Sequence, residues 1–129
     1  MRYNRDNAVC YARGHALCTS IYESGRDADA TAFVSRCIAA GIGADFECGD
    51  SDSLCRELQE RLSVRECELG ELLAGDIVQI QLEAGLPYKS LIVTDRDGDD
   101  ILVSAHSYIS LDRPLSSYRF RDMRCYCLG

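Results

Sequence analysis

The stretch DATAFVSRCIAAG, residues 29–41, decides the fold. Asp29 is a favourable helix N-cap, and Gly41 is predicted to end the helix as a left-handed cap. The apolar residues between them lie almost all round the helix: Ala30, Phe33, Val34, Cys37, Ile38 and Ala40. A helix without a polar face is typical of the centre of a fold, where every side packs against another element. The sequence therefore predicts a buried central helix over about residues 30–40.

Two other helical patterns lie on either side of this stretch. Asn4 or Asp6 can cap a first helix that ends near Leu17. Leucines at four-residue spacing predict a third helix over about residues 53–62. A short leucine-rich turn of helix follows, and Gly75 is predicted to close it.

The hydrophobic period changes from 3.6 to 2 at Asp76. Val78 and Ile80 alternate with glutamines, which predicts a strand with one buried face. The dipeptide Asp97–Gly98 is a hairpin signal between two later apolar runs. Further strands are predicted over residues 91–94 and 101–105, near 118–121, and over 124–128. Helices followed by a meander of strands indicate an α+β fold, with N-terminal helices packed on a C-terminal antiparallel sheet of about five strands.

The chain is acidic and has the length of one domain. Its 129 residues carry 14 Lys and Arg against 21 Asp and Glu, a net charge of −7. This length predicts a single domain over residues 1–129 with a core of its own. The acidic balance argues against generic nucleic-acid binding through a basic face. It leaves open an acidic surface that meets the basic groove of a partner protein.

The sequence shows neither a membrane-spanning pattern nor a secretory signal. No apolar run approaches the roughly 20 residues of a membrane span. The polar start, residues 1–7, lacks the apolar centre of a secretory signal. These features predict a protein of the host cytosol, without contact with a membrane.

Eight cysteines are present: Cys10, Cys18, Cys37, Cys48, Cys55, Cys67, Cys125 and Cys127. An even count in a secreted chain would suggest disulfides. In the reducing cytosol we expect free thiols that mostly pack as small hydrophobic residues. Disulfides between a subset of them are an alternative. A metal site is disfavoured because no Cys-x-x-Cys pair exists.

Carboxylates concentrate in two segments. The first carries Asp45, Glu47, Asp50, Asp52, Glu57 and Glu60. Such a run is ordinarily a solvated loop and helix face, and its functional interpretation is a docking patch for a basic partner. The second, residues 95–100, lacks the twelve-residue pattern and closing glutamate of a calcium loop, so a solvated hairpin turn is predicted. Neither a metal ion nor a cofactor is expected.

Five segments of the chain follow one another in a specific order. They read YNRDNAVCYA (residues 3–12), DATAFVSRC (29–37), GDIVQ (75–79), KSLIVT (89–94) and SAH (104–106). Together they resemble the amidase domain family of bacterial proteins, which are papain-like cysteine hydrolases. The resemblance covers nearly the whole chain, although the part between residues 41 and 75 looks shortened. It implies a papain-like α+β fold.

The same resemblance implies a catalytic site that this sequence has lost. The family's nucleophilic cysteine corresponds to Ala30, whose methyl group cannot attack a carbonyl. Its histidine base corresponds to Lys89, and an ordinary lysine is protonated at pH 7 and takes no proton from a thiol. An asparagine of the family motif is replaced by Ala32, whereas His106 matches the third member, which orients the base. A relocated dyad of Cys37 and His106 is disfavoured, because Cys37 lies about 10 Å further along the helix axis.

Several replaced positions favour a natural loss of catalysis over an engineered one. We therefore expect a non-catalytic, amidase-like protein that acts as a stoichiometric binding protein or inhibitor. The specific expectation is an anti-defence protein of a phage or mobile element, similar in role to an anti-CRISPR protein. Its partner would be a host protein with a basic nucleic-acid groove, and not nucleic acid itself. The alternative is a cell-wall peptide amidase in an inactivated form, and a structural assembly protein is a third class.

Overall fold

Three helices precede a six-stranded antiparallel sheet in the computed structural model, which describes residues 2–17, 27–106 and 110–128. The helices are α1 (Arg5–His15), α2 (Asp27–Ile42) and α3 (Ser51–Arg61). The strands are β1 (Arg65–Glu66), β2 (Ile77–Gln81), β3 (Lys89–Asp97), β4 (Asp100–Ala105), β5 (Ser110–Pro114) and β6 (Asp122–Cys127). Short 3₁₀ turns cover Leu69–Glu71 and Leu115–Ser117. Within the described ranges, no helix is long and apolar enough to cross a bilayer.

The sheet confirms the predicted α+β class with an antiparallel sheet. Its strand order is β1-β6-β2-β3-β4-β5. β2 pairs with β3 on one side and with the last strand, β6, on the other, so the C-terminal end of the chain returns beside the first long strand. β3 and β4 form the hairpin predicted at Asp97–Gly98, and Gly98 has the positive φ of 63° that this turn requires.

Two hydrophobic clusters lie on opposite faces of the sheet. The helix-side core joins the helices to the sheet, and its members include Phe33, Ile38, Leu54, Leu58, Ile77, Ile92 and Tyr126. The far-side core lies on the other face and includes Leu72, Val78, Ile80, Leu91, Val93, Val103 and Leu115. Successive strand residues alternate between the two faces. Ser90 and Thr94 therefore lie on the helix side of β3 together with Ile92.

The prediction that the first long strand has only one buried face is wrong. All five residues of β2 are buried, and Gln79 has no exposed surface. The far side is covered by two leucines that pack there. Leu72 directly follows the first 3₁₀ turn, and Leu115 begins the second. The helix side is covered by the start of α3, whose Ser51 carbonyl accepts a hydrogen bond from Gln79 at 2.9 Å.

The helix starts agree with the predicted ones to within three residues. Asn4 caps α1 through its side chain, as predicted. α2 begins at Asp27, so Asp29 lies inside the helix and not at its cap. α3 begins two residues before its predicted start, because the carboxylate of Asp50 accepts the backbone N–H of Ser53 at 2.7 Å.

The predicted left-handed cap at Gly41 is wrong. α2 continues to Ile42, and the residue with a left-handed φ, 66°, is Gly43. Gly41 serves close packing instead, because a Cβ there would lie 2.5 Å from the ring of Tyr3. Its carbonyl also accepts the backbone N–H of Asn4 at 2.7 Å. The segment before α1 thus rests directly on the last turns of α2.

The strand predicted near residues 118–121 is wrong as well. The strand in this region is β5, which pairs with β4 and ends at Pro114. Proline supplies no N–H to a ladder, and the chain turns into a 3₁₀ helix immediately after it. Tyr118 packs in the far-side core, and its hydroxyl donates to Ser110 at 2.6 Å. Its aromatic ring therefore covers the sheet without joining it.

The cysteines differ widely in exposure. Seven lie among the described residues as free thiols, and Cys18 lies outside them. The expected burial is confirmed for Cys37, Cys48 and Cys125. It is wrong for the exposed Cys10. The half-buried cysteines are Cys55, Cys67 and Cys127.

Candidate functional site

The position at which the resemblance in sequence implies a nucleophile lies in the first turn of α2. Ala30 is completely buried there. Its neighbour Thr31 is also completely buried, and the hydroxyl of Thr31 has no hydrogen-bond partner among the described residues. A thiolate at a helix N-terminus is stabilised by the positive end of the helix dipole, but a methyl group gains nothing from it. Ala30 therefore offers no nucleophilic atom at this helix start.

His106, directly after β4, lies beside this helix start. Its ring stacks on Phe33 with the ring centroids 4.3 Å apart and an interplanar angle of 16°. Ala30 lies one turn before Phe33, on the same side of α2. His106 Nε2 lies 3.0 Å from the carbonyl oxygen of His15, which can only accept, so Nε2 carries a proton and donates. His106 is therefore a packed residue that links α1, α2 and the sheet.

Lys89 lies on the face of the sheet opposite to Ala30. Its cross-strand partner is Ile80, a member of the far-side core, whereas the helices cover the other face. The next residue, Ser90, pairs with Gln79 and faces the helices. The structure thus brings Ala30 and His106 to one region and leaves Lys89 on the other side of the sheet.

A buried polar network lies beneath the start of α3, and the sequence did not reveal it. Arg124 Nη2 donates to the side-chain oxygen of Gln79 at 2.8 Å. Gln79 Nε2 donates to the hydroxyl of Ser90 at 3.2 Å and to the Ser51 carbonyl. The hydroxyl of Ser51 donates to the Tyr88 carbonyl at 2.7 Å, so Ser90 supplies the proton between the two serine hydroxyls, which are 2.8 Å apart.

This network joins α3 to three strands, and each hydroxyl proton in it is already donated in a hydrogen bond. A serine nucleophile needs a base that takes its proton, and a carbonyl oxygen does not act as one. We therefore interpret the network as structural. The sequence signal that could have revealed it is the glutamine inside a strand that is otherwise apolar.

A second polar cluster ties α1 to the other end of β3. The hydroxyl of Thr94 donates to Asp112 at 2.6 Å, and Arg13 forms ion pairs with Asp95 and Asp112, both at 3.3 Å. The Asp112 backbone has a positive φ of 49° and donates its N–H to Ser104 at 3.1 Å. The Asp112 carboxylate is thus engaged by a hydroxyl and a guanidinium.

The relocated thiol considered from the sequence is buried in the core. Cys37 has no exposed surface, and burial raises the pKa of its thiol well above the ordinary value. A thiol with a raised pKa carries little thiolate at neutral pH. This agrees with the expectation that Cys37 does not replace the missing nucleophile.

The predicted acidic patch lies on the segment from residue 45 to the end of α3. Its exposed members are Asp45, Glu47, Asp50, Asp52 and Glu60, and Glu57 is half-buried. Arg61 holds this segment against the helix, because its guanidinium donates to the Asp45 carbonyl at 2.9 Å and lies over the Phe46 ring. A groove separates the segment from α2, and it is lined by Ala32, Arg36, Ala39, Asp45, Phe46 and Glu47. We call residues 45–61, with these carboxylates, the acidic segment.

Within the acidic segment, one carboxylate already has a structural role. Two hydrogen bonds from Ser53 lower the pKa of Asp50 below its ordinary value. The backbone N–H of Ser53 has the larger effect, and its side chain has the smaller one. Asp52 lies 3.4 Å from Arg124, but its side chain is 80% exposed. The segment also carries two arginines, Arg56 and Arg61, against its six carboxylates. It therefore presents a surplus of negative charge to solvent.

Metal-ligating side chains converge at one place in the described part of the chain. Ligand atoms of Cys67, Glu71 and Cys127 lie within 4.8 Å of one another. This group lies at the β1–β6 edge of the sheet, separated from β4 and His106 by β2 and β3.

Comparisons with known proteins identify the fold. No protein-family model matches the sequence, and no curated protein is similar to it. A chain from the crystal structure of the type VI native effector–immunity complex Tae3–Tai3 from Ralstonia pickettii matches with a TM-score of 0.58 and 16% identity. The match covers 98% of this chain and 100% of the other. The chain therefore has an amidase-like, papain-like α+β fold similar to that of the effector Tae3.

Proposed function

We propose that this protein is a non-catalytic, amidase-like binding protein. The observation that carries the proposal is the complete burial of Ala30 at the start of α2, where the fold would use a thiolate. The nearby His106 supports it, because its ring is packed on Phe33 and its Nε2 proton is held by a carbonyl. Ala30 has no atom that can attack a peptide carbonyl, and the protonated Nε2 of His106 is not available as a base in this arrangement.

The surface that we assign to binding is the acidic segment. Its surplus of exposed carboxylates suits a partner with a basic face, since complementary charge steers encounter and excludes partners of like charge. The Tae3–Tai3 complex supports a role in protein association, because the matching fold occurs there in an effector–immunity pair. The specific form of the proposal is an inhibitor from a phage or mobile element that occupies the nucleic-acid groove of a host defence nuclease.

The experiment is a binding and inhibition assay with purified RNA-guided nucleases. Wild-type protein is expected to form a stable complex in gel filtration and to reduce cleavage of target DNA. The triple variant Asp45→Asn, Glu47→Gln, Glu60→Gln removes three exposed charges and spares the helix cap, so both effects should weaken. The matched control, Asp97→Asn with Asp99→Asn, removes charge from the exposed hairpin and should behave as wild type. The absence of a complex with any nuclease would exclude this specific form.

A second candidate is an amidase in an inactivated form. Ala30 occupies the helix start at which a thiolate is stabilised, and the fold is shared with an effector. The Ala30→Cys variant, alone and together with Lys89→His, is assayed for muropeptide hydrolysis, with Ala32→Cys as the control for a misplaced thiol. The binding proposal expects no activity from any of them, because Lys89 faces the far-side core. Hydrolysis by Ala30→Cys but not by Ala32→Cys would establish the amidase instead.

A further inference from the structure

We propose that Cys67 and Cys127 form a reversible disulfide that fastens the β1–β6 edge of the sheet. Cys67 follows β1, and Cys127 ends β6. The two residues are separated by 60 positions in the sequence, so a bond between them would close a long loop. This inference concerns the cysteines alone and does not depend on the proposed binding function.

The first evidence is the distance between the two sulfur atoms. Their Sγ atoms lie 2.6 Å apart. A disulfide bond is about 2.05 Å long, so closure needs an approach of about 0.6 Å. Nonbonded carbon atoms, which are smaller than sulfur, keep about 3.5–4.0 Å apart. The fold thus holds the two thiols closer to a covalent bond than to an ordinary contact.

A zinc site built from the same atoms fits less well. Zinc binds thiolate sulfur at about 2.3 Å with tetrahedral angles, which keeps two ligand sulfurs roughly 3.8 Å apart. Cys67 and Cys127 would have to separate by about 1.2 Å to accept the ion. The third donor, Glu71, is already held by Arg65 in an ion pair of 2.7 Å. The disulfide is favoured because its two sulfur atoms need to move less, and because it does not require Glu71 to leave Arg65.

The other nearby cysteine is a poorer partner. The backbone N–H of Cys67 donates to the Cys125 carbonyl at 2.9 Å, so Cys125 lies opposite Cys67 on β6. Cys125 is only 4% exposed, and burial raises the pKa of its thiol to about 11. Cys127 is half-buried and lies at the end of its strand. An oxidant therefore reaches Cys127 more readily.

The bond forms by two exchanges with a small disulfide oxidant such as oxidised glutathione. The Cys127 thiolate attacks one sulfur of the oxidant, forms a mixed disulfide and releases one thiolate. The Cys67 thiolate then attacks Cys127 Sγ, forms the Cys67–Cys127 bond and expels the second thiolate. The two protein thiols lose two protons and two electrons, and the oxidant gains both electrons to give two thiols. Burial raises the pKa of Cys67, which favours this order of attack.

Formation of the disulfide would stabilise the edge of the sheet at which the fewest strand residues are paired. β1 has only two residues, and both pair with β6. A cross-link over a long loop stabilises mainly by restricting the unfolded chain. Oxidised protein should therefore melt about 10 °C above reduced protein.

The test treats the full chain, under native conditions, with oxidised glutathione and then maps its peptides without reduction. Arg124 precedes both Cys125 and Cys127, so they share one tryptic peptide and fragmentation must assign the bond. We expect a Cys67–Cys127 cross-link, the loss of two free thiols and the higher melting temperature, all reversed by a reducing thiol. Cys67→Ser and Cys127→Ser should each abolish the shift. Cys10→Ser, at the exposed cysteine, should retain it.

Three results, each observed on the wild-type protein, would overturn the proposal. The first is a bond between Cys67 and Cys125. The second is a glutathione adduct on either cysteine that never resolves into an internal bond. The third is a zinc ion, added as a simple salt to the reduced chain, that survives dialysis and blocks oxidation; its loss in both serine variants would assign a metal site to these residues.

Discussion

Gly41 shows how a single missing side chain positions α1. A Cβ at this position would lie 2.5 Å from one carbon of the Tyr3 ring and 3.1 Å from the Asn4 carbonyl oxygen. The Tyr3 hydroxyl is fixed on the other side, because it donates to the Gly75 carbonyl at 2.7 Å. The ring therefore has little freedom to move away.

We predict that Gly41→Ala lowers the free energy of unfolding by about 1–3 kcal/mol, the usual cost of overpacking. The control is Gly14→Ala, also in a helix, where a Cβ meets nothing within 4 Å. That change should raise stability by roughly 0.5–1 kcal/mol, since alanine is the better helix former. Urea denaturation of both variants measures the difference. Equal effects of the two substitutions would contradict the packing argument.

Asp76 is the second residue whose role the structure explains. It has no exposed surface and forms an ion pair with Arg5 at 2.7 Å. Its carboxylate also accepts the backbone N–H groups of Leu73 at 2.8 Å and of Leu128 at 2.9 Å. Arg5 in turn donates to the carbonyl of Leu128. The pair thus connects α1, the entry to β2 and the C-terminal end of the described chain.

We predict that Asp76→Ala destabilises the fold by about 3–5 kcal/mol, because it removes the carboxylate that neutralises the Arg5 guanidinium and leaves two backbone N–H groups without their acceptor. The matched control is Asp97→Ala in the exposed hairpin, which should change stability by less than about 0.5 kcal/mol. Thermal and urea unfolding report both values. A loss below about 1 kcal/mol for Asp76→Ala would show that the pair is dispensable.

At the scale of elements, the sequence predicts what depends on local pattern. The three helices and the β3–β4 hairpin follow from apolar spacing, caps and the Asp-Gly turn, and all of them are present. β5 was missed because Ser110–Pro114 contains only one large apolar residue. The buried Gln79 was missed because its hydrogen bonds come from α3 and β6, which are distant in sequence.

The candidate site follows the same rule. The resemblance in sequence located Ala30 and His106, which the fold brings near each other through Phe33. It gave no information on which face of β3 carries Lys89, because that depends on the pairing with Ile80. A one-residue change of strand register moves a side chain to the other face of a sheet. Tertiary pairing, not composition, therefore decides whether a residue belongs to the site.

The cap of α3 gives a prediction that depends on pH. Hydrogen bonds from Ser53 lower the pKa of Asp50, so the charged carboxylate favours the folded state. Its contribution is complete above the ordinary aspartate pKa of about 3.9, and it is lost as the pH falls through the lower folded value. Asp50→Ala should therefore destabilise the protein at pH 7, and its deficit relative to wild type should shrink below about pH 4.

The measurement is urea unfolding of both proteins at several pH values between about 7 and 3. Asp50→Asn keeps an acceptor oxygen without the charge, so its deficit at pH 7 should be smaller than that of Asp50→Ala. Both deficits should shrink by the same amount as the pH falls, because neither variant titrates at this position. A deficit of Asp50→Ala that stays constant over this range would show that the charge does not contribute to the cap.

At the scale of the whole molecule, the burial of Ala30 and the distribution of charge are the two features on which the proposed function rests. Ala30, in the first turn of α2, is completely buried, and later residues of the same helix pack in the helix-side core. The acidic segment holds six carboxylates and two arginines, so it accounts for −4 of the net charge of −7. Under the proposed function, the exposed carboxylates of this segment would meet the basic face of a partner protein.

Charge steering should therefore govern the rate at which the protein binds a basic partner. We predict that raising the salt from about 0.1 M to 1 M, which shortens the Debye length from about 10 Å to 3 Å, slows association at least about tenfold and changes dissociation little. Stopped-flow mixing with the nuclease partner measures both rates. The triple variant at Asp45, Glu47 and Glu60 should associate more slowly at low salt and show a shallower salt dependence. The hairpin control should keep the wild-type slope, because its charges lie outside the acidic segment that we assign to binding. Parallel salt dependences for the triple variant and wild type would place the binding face elsewhere on the molecule.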